Sequence, residues 1–192
     1  MGARPRQENR SKRKIVSGLF ISLDGVTQDP QNWQIDLMDD EAGADVDRAT
    51  QEADTILLGR RTYEEFAAYW RSASPDEPFA SYINSTPKVV VSNSLTSADW
   101  ENTTIISGNV NGQLRSLKER DGKNIGITGS VTLVRSLLRD GLLDELWLQV
   151  YPVIVGEGKR LFEESIGKLP LNLVDAQITA SGIALLHYQP AR

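Results

Sequence analysis

Apolar and polar positions alternate along this chain with two periods, and the switches between them mark out its elements. Residues 14–25, KIVSGLFISLDG, open with a partly alternating apolar run and close on Asp24-Gly25, the pattern of a strand entering a turn. The polar stretch VTQDPQNWQID then has the length of a loop that covers a site. LMDDEAGADVDRATQEAD has helix composition, with acids in its first turn where they suit the positive end of the helix dipole. TILLG reads as a short buried strand. From Arg61 to Trp70, the residues Tyr63, Phe66, Ala67 and Trp70 share one helix face.

SASPDEP breaks the chain, and KVVVSNS is a β-branched run ending in turn formers, followed by the weaker strand TTIIS. VNGQLRSLKERDG predicts a helix ended by Asp121-Gly122. KNIGITGS is a strand feeding Gly129-Ser130, and Val131, Val134, Leu137 and Leu138 mark a helix that stops at Asp140-Gly141. LLDELWLQVYPVIVG carries the strongest strand signal, with Pro152 at a bend or edge. LNLVDAQITASGIALLHYQP predicts two strands joined at Ser181-Gly182 as an antiparallel hairpin. Strands alternating with helices imply right-handed crossovers and a mostly parallel sheet, an α/β fold whose ligands sit outside the carboxyl ends of the strands.

Composition narrows the chemistry. A chain of 192 residues, 40% hydrophobic and 24% charged, suits one folded domain. With no cysteine and the single histidine His187, thiol nucleophiles, cysteine zinc sites, histidine metal sites and a Ser-His-Asp relay are not expected; no metal is. His187 reads as an ordinary, partly buried strand residue. No apolar run approaches the roughly 20 residues of a membrane span, so the expected location is the cytoplasm and no membrane partner is expected. Residues 1–13 are read as a basic, disordered tail and 14–192 as the domain. Residues 1–14 hold six of the 21 basic residues, and the remaining 178 carry 15 basic against 25 acidic side chains, a body that disfavours nucleic acid.

Three strand ends are alike in make-up, namely LLGRRT, VVVSNS and GITGSVTL. In the first, Gly59 permits a tight turn, Thr62 offers a hydroxyl, and Arg60 and Arg61 add positive charge to the positive end of a helix, an arrangement relieved by an anion such as phosphate. Gly129-Ser130 opens a second helix and supplies free N–H groups and a hydroxyl, with the turn at Ser92-Asn93 between them. Neither matches G-x-G-x-x-G, so a Rossmann site is not indicated. Separated phosphates, as in a dinucleotide with an extra 2′-phosphate, suit the set.

Asp24 is either a structural turn residue or a carboxylate facing substrate, and Trp33 either stacks on a flat acceptor or packs its loop down. PVIVGEGKRLF, with Gly156 and Gly158 ahead of Lys159 and Arg160, is either a glycine loop with two cations that suits a phosphate or a segment that only shapes its loop. Trp147 lies on the second face of its strand, which points to a dimer contact.

In order, SLDG, ADTILLGRRTYEEF, KVVVSNSL, ITGSVTLVRSLL and GLLDELWLQVYPVIVGEGKRLF resemble the motifs of the dihydrofolate reductase-like superfamily over residues 14–188. The most similar branch holds the reductase half of the bifunctional riboflavin-biosynthesis deaminase/reductase (the RibD C-terminal domain) and its stand-alone relatives. The resemblance implies a three-layer α/β sandwich with a mostly parallel sheet, an antiparallel C-terminal hairpin and helices on both faces. It also implies NADPH across the strand ends, a small heterocyclic substrate and a homodimer.

Carried over by position, Gly59, Arg60, Arg61 and Thr62 look like the turn for the adenosine phosphates. Ser92 and Asn93 look like the turn beside the adenine ribose, and Gly129, Ser130, Val131, Thr132 and Leu133 like the pyrophosphate turn. Leu23, Asp24 and Gly25 fall near the nicotinamide. Dihydrofolate reductases place a substrate acid after a W-x-x-P motif; NWQIDLMDD keeps the tryptophan without the proline, and Asp36 is the candidate acid with Asp39 and Asp40 beside it. The expected activity is reduction of a heterocycle similar to 5-amino-6-(5-phosphoribosylamino)uracil. Dihydrofolate or pteridine reduction and a non-catalytic nucleotide-binding module are the alternatives.

Overall fold

Strand β1 (Ile15–Ser22) starts a sheet that the rest of the chain extends on both sides. The computed structural model describes residues 12–77, 79–162 and 166–191. After β1 come two short 3-10 turns and then α1 (Asp40–Gln51), β2 (Ala53–Gly59), α2 (Arg60–Trp70), α3 (Ala80–Ser85), β3 (Lys88–Val91) and β4 (Thr103–Ile106). The chain continues through α4 (Val110–Lys118), β5 (Asn124–Gly129), α5 (Val131–Arg139), β6 (Glu145–Tyr151), β7 (Leu171–Ile178) and β8 (Ala184–Pro190). The eight-stranded sheet has the order β4-β3-β2-β5-β1-β6-β8-β7. β8 runs antiparallel to both neighbours, while β1 to β6 are joined by parallel ladders, as the α/β expectation required.

Helices cover both faces. On one, Leu114 of α4 and Val134, Leu137 and Leu138 of α5 pack on Leu19, Leu57, Ile127, Leu146 and Leu148. On the other, Tyr63 of α2 and Ile83 of α3 pack on Ile56, Leu58 and Val90, and Ala42 of α1 packs on Tyr151, Ile183 and Leu185. Each fully buried aliphatic side chain contributes about 1.5–3 kcal/mol.

Helix α3 has no counterpart in the sequence reading, because ASYINS is one short turn-rich segment without an apolar period. Its C-terminal carbonyls are held by Lys88, which is buried on β3: Nζ donates to the carbonyls of Ile83 at 2.9 Å, Asn84 at 3.2 Å and Thr86 at 2.8 Å, and lies 4.5 Å from the ring centre of Trp100. A lone charge can be buried here because its donors are matched.

Two expectations need correction. Arg13 is no part of a free tail: it is 6% exposed, pairs with Asp54 and donates to Thr55 Oγ1 and the Lys123 carbonyl, each at 2.7 Å. The packed body therefore begins before residue 14, and residues 1–11 lie outside the described residues. Trp147 is not free for a dimer contact either. It is 6% exposed, stacked on His187 with ring centres 4.0 Å apart, with Arg48 over its ring.

Candidate functional site

Parallel strands deliver β1, β2, β3 and β5 to one carboxyl edge, and there two turns predicted separately are packed into each other. A Cβ on Gly59 would lie 2.5 Å from Ser130 Oγ and 3.3 Å from its backbone nitrogen, and a Cβ on Gly129 would lie 3.0 Å from Thr62 Oγ1. The glycines let the end of β2 and the end of β5 touch, with the Gly129–Ser130 peptide cis.

Helices α2 and α5 therefore begin side by side. Neither has an acid in its first turn, and α2 has no side-chain cap at all. Ser130 caps α5 by accepting from Leu133 N at 3.3 Å, leaving the amides of Val131 and Thr132 at the helix start. By contrast α1 is capped by Asp39 and starts with Asp40 and Glu41. Helix-terminus potential is thus neutralised at α1 and left positive where α2 meets α5.

The arginine pair differs from the expected two unpartnered cations. Arg60 makes a forked pair with Glu64 one turn on, at 3.0 and 2.9 Å. Arg61 is exposed and forms no ion pair among the described residues. The Arg60–Glu64 pair is a surface i,i+4 contact worth about 0.3–0.5 kcal/mol.

The Ser92-Asn93 turn follows β3, but its side-chain oxygens are taken up by main-chain amides. Ser92 Oγ accepts from Ser94 N at 3.2 Å and Leu95 N at 2.9 Å, and Asn93 Oδ1 accepts from Gly108 N at 3.2 Å. Their hydroxyl and carbonyl oxygens hold the turn.

Asp24 is a clamp. Its Oδ1 accepts from Ser22 Oγ at 2.6 Å and Val155 N at 3.0 Å, its Oδ2 from Gly156 N at 2.9 Å, and Arg160 lies 3.6 Å away. The Ser22 hydroxyl first, then the Val155 amide, hold this carboxyl well below the usual carboxylate range. A carboxylate held ionised is in the wrong state to give up a proton, so the structure assigns Asp24 to tying the 153–156 loop to the end of β1. Leu23 is 67% exposed beside it, its N–H donating to the Val153 carbonyl. Asp36 sits exposed in the second 3-10 turn. Trp33 packs its loop down: Nε1 donates to the Gln28 carbonyl at 3.0 Å and the ring meets Tyr151 edge-on.

Beneath that loop runs a polar network that the sequence reading missed. Tyr151 OH donates to Gln34 Oε1 and Gln149 Oε1, each at 3.2 Å, and Gln149 Nε2 donates to the Ala42 carbonyl and to Asp45 Oδ2. Asp45 also pairs with Arg48 at 2.8 Å and His187 at 3.2 Å. Burial alone would raise the Asp45 carboxyl, but its bonds to His187, Gln149 and Arg48 outweigh that and hold it low. Burial pushes the Tyr151 phenol up to about 12. The network fixes α1 on β6 and β8.

Between α1, seated on β6 and β8, and α2, seated on β2 and β3, the central strands β1 and β5 are left open. Gly18 and Phe20 of β1 and Gly126 of β5 are only half-buried, Thr128 is exposed, and a Cβ on Gly18 would meet nothing within 4 Å. The register Val16↔Gly126 puts Gly18, Phe20 and Gly126 on one face, while Thr128 falls at the irregularity between Ile127 and Gly129 in the ladder with β2. Gly18 was the available signal, a strand glycine with open space over it, whereas Gly126 lies against β2, where a Cβ would come within 3.4 Å of Ala53 Cβ. A cavity of about 340 Å³ at the opposite, amino edge is lined by Lys12, Arg13, Glu52 and Lys123. Its cations are engaged with Glu119, Asp54 and the Gln51 carbonyl.

A mostly parallel sheet with one reversed strand near its end, covered by helices on both faces, is the dihydrofolate reductase-like class of α/β fold. Within it the RibD C-terminal domain family model matches residues 13–185, and the chain belongs to that family. It is 29% identical over 185 residues to the uncharacterized protein YyaP of Bacillus subtilis, covering 94% of this chain and 96% of that one. The crystal structure of a putative riboflavin biosynthesis protein from Shewanella sp. PV-4 superposes with a TM-score of 0.76 at 19% identity, covering 93% and 99% of the two chains. A dihydrofolate reductase from Enterococcus faecalis complexed with NADP(H) and RAB-propyl gives a TM-score of 0.61 at 13% identity, covering 93% and 97%.

Proposed function

We propose that the protein is an NADPH-dependent reductase of a small heterocyclic acceptor, working as a homodimer. The observation that carries this reading is the contact between the acid-free starts of α2 and α5, with Arg60 and Arg61 beside them, next to the glycine-floored groove. Two adjoining positive helix ends match the phosphates of a dinucleotide, and guanidinium groups suit a 2′-phosphate. The Enterococcus reductase that shares the fold was crystallised with NADP(H), which supports the same cofactor here.

In this reading Gly59, Arg60, Arg61 and Thr62 hold the adenosine phosphates. Gly129, Ser130, Val131, Thr132 and Leu133 hold the pyrophosphate through main-chain N–H groups. Asn93 keeps its side-chain NH2 for the ribose end, and Leu23 and Gly25 border the nicotinamide. NADPH, when bound, supplies the hydride. The groove floor lets a flat ring lie against β1 and β5, Phe20 and Trp33 give it an apolar wall, and the Thr128 hydroxyl offers a hydrogen bond. Orientation of the acceptor is then the protein's main contribution.

Steady-state oxidation of NADPH, followed spectrophotometrically, tests the reading. Turnover is expected with 5-amino-6-(5-phosphoribosylamino)uracil or a related aminopyrimidine and not with dihydrofolate. Binding of NADPH without turnover on any heterocycle would make the protein a nucleotide-binding module instead.

A further inference from the structure

Helix α2 opens with RRTYEE, which sets Arg60 four residues ahead of Glu64 and Arg61 four ahead of Glu65. Both spacings allow an ion pair across one helical turn, and only the first pair closes. Arg60 Nη1 donates to both oxygens of Glu64, at 3.0 and 2.9 Å. Arg61 and Glu65 are exposed and form no ion pair among the described residues. A pair of this kind stabilises a helix best with its acid toward the N-terminus, where the carboxylate also meets the positive end of the dipole. On α2 the order is reversed, with the cation at the first helical position and the acid a turn further in. Helix α1 shows the favourable order, Asp40 and Glu41 at its start and Arg48 in its last turn. The Arg60–Glu64 pair is therefore poorly placed to serve its own helix.

Given the proposed adenosine-phosphate site at this turn, on which the assignment rests, we infer that Glu64 serves the ligand. It sets the margin by which the site prefers a 2′-phosphate to a 2′-hydroxyl, that is, NADPH to NADH. Both partners are within reach of a ligand, their side chains being 39% and 46% exposed. Both Glu64 oxygens fall on Nη1, and Nε and Nη2 of Arg60 carry no hydrogen bond among the described residues, so one edge of the guanidinium stays open. A phosphate on that edge lies across the guanidinium from a carboxylate and is repelled by it. A phosphate that takes the whole guanidinium must first displace the carboxylate. Either way Glu64 subtracts from NADPH binding. A 2′-hydroxyl is neutral and can donate to a carboxylate oxygen, the contact by which acidic residues read a plain ribose. Glu64 thus narrows the preference that the two arginines create.

Glu65 supplies the comparison. It carries the same charge, one residue on in the same helix, and holds no arginine among the described residues. An effect of negative charge on α2 in general is shared by both glutamates. An effect that runs through Arg60 belongs to Glu64 alone.

The test is fluorescence titration of the full chain with NADPH and with NADH at one ionic strength, for the wild type, Glu64→Gln and Glu65→Gln. Glutamine keeps the side-chain length and the helix preference of glutamate, and unchanged circular dichroism verifies the fold. In E64Q NADPH is expected to bind more tightly, and the ratio of the NADH Kd to the NADPH Kd to rise at least threefold. In E65Q that ratio is expected to stay within about twofold of the wild type, since no paired guanidinium is released. A smaller rise in E64Q, or an equal rise in E65Q, would overturn the role of Glu64 while leaving the NADPH site standing. A wild-type chain that binds neither nucleotide would overturn the cofactor reading itself.

Discussion

Replacing Arg60 and Arg61 together by alanine is expected to weaken NADPH binding by at least tenfold while changing NADH affinity far less. Both side chains stand at the start of α2, where no acid and no side-chain cap offsets the helix dipole. Each charge-assisted contact to a 2′-phosphate is worth about 1.5–3 kcal/mol, and NADH lacks that group. Arg60 first leaves Glu64, a small cost at the surface, so Arg61 is expected to carry the larger share of the loss in single variants. Kd values for both cofactors, measured by fluorescence titration at one ionic strength, check this. Equal weakening of NADPH and NADH would move the 2′-phosphate contact elsewhere.

Lys88→Met is expected to be the most damaging substitution for stability. It strips the ammonium from three carbonyls at the end of α3 and from the Trp100 ring, leaving buried acceptors without donors. The cost is about 3 kcal/mol, or a fall in Tm of roughly 6–12 °C for a chain of this size. Burial pulls the Lys88 ammonium down from 10.5 to about 8, against the opposing charge of Glu101. The folded protein therefore sheds this proton before the unfolded chain does, and between these two values the unfolded chain binds more protons. Through that window the group makes stability rise with pH, and in K88M this contribution disappears. Thermal melts of both proteins at neutral and alkaline pH measure the two effects together. A variant melting within about 2 °C of the wild type would mean that water satisfies the α3 carbonyls.

Much of the fold was legible because its period changes are clean. The β-branched run of KVVV and the alternation in LDELWLQV against the helical spacing of Val131, Val134, Leu137 and Leu138 place strands and helices directly. α3 was not legible: its six residues lack a period, and what holds its end is Lys88, a residue the reading assigned only to a strand. The positive turns were visible as glycine, arginine and serine at strand ends. That Gly59 and Gly129 bring two of them into contact depends on β2 lying beside β5, which needs the sheet order.

Individual roles were less visible, since a side chain's partner is set by tertiary packing. Asp24 proves to be a loop clamp because the Val155 and Gly156 amides return to it from across the chain, and Glu64 reaches Arg60 only once α2 forms. The groove could have been read from Gly18, which interrupts a strand that otherwise favours larger residues and has open space where a Cβ would sit.

The central claim is that the joined starts of α2 and α5 form a phosphate site for a reduced, 2′-phosphorylated dinucleotide. Isothermal titration of the full chain with NADPH tests it most directly. The account predicts one NADPH per chain with a Kd within the roughly 1 µM–1 mM range usual for enzyme ligands, and affinity that falls as salt screens the arginines. Absence of heat and of any thermal shift at saturating NADPH would contradict it.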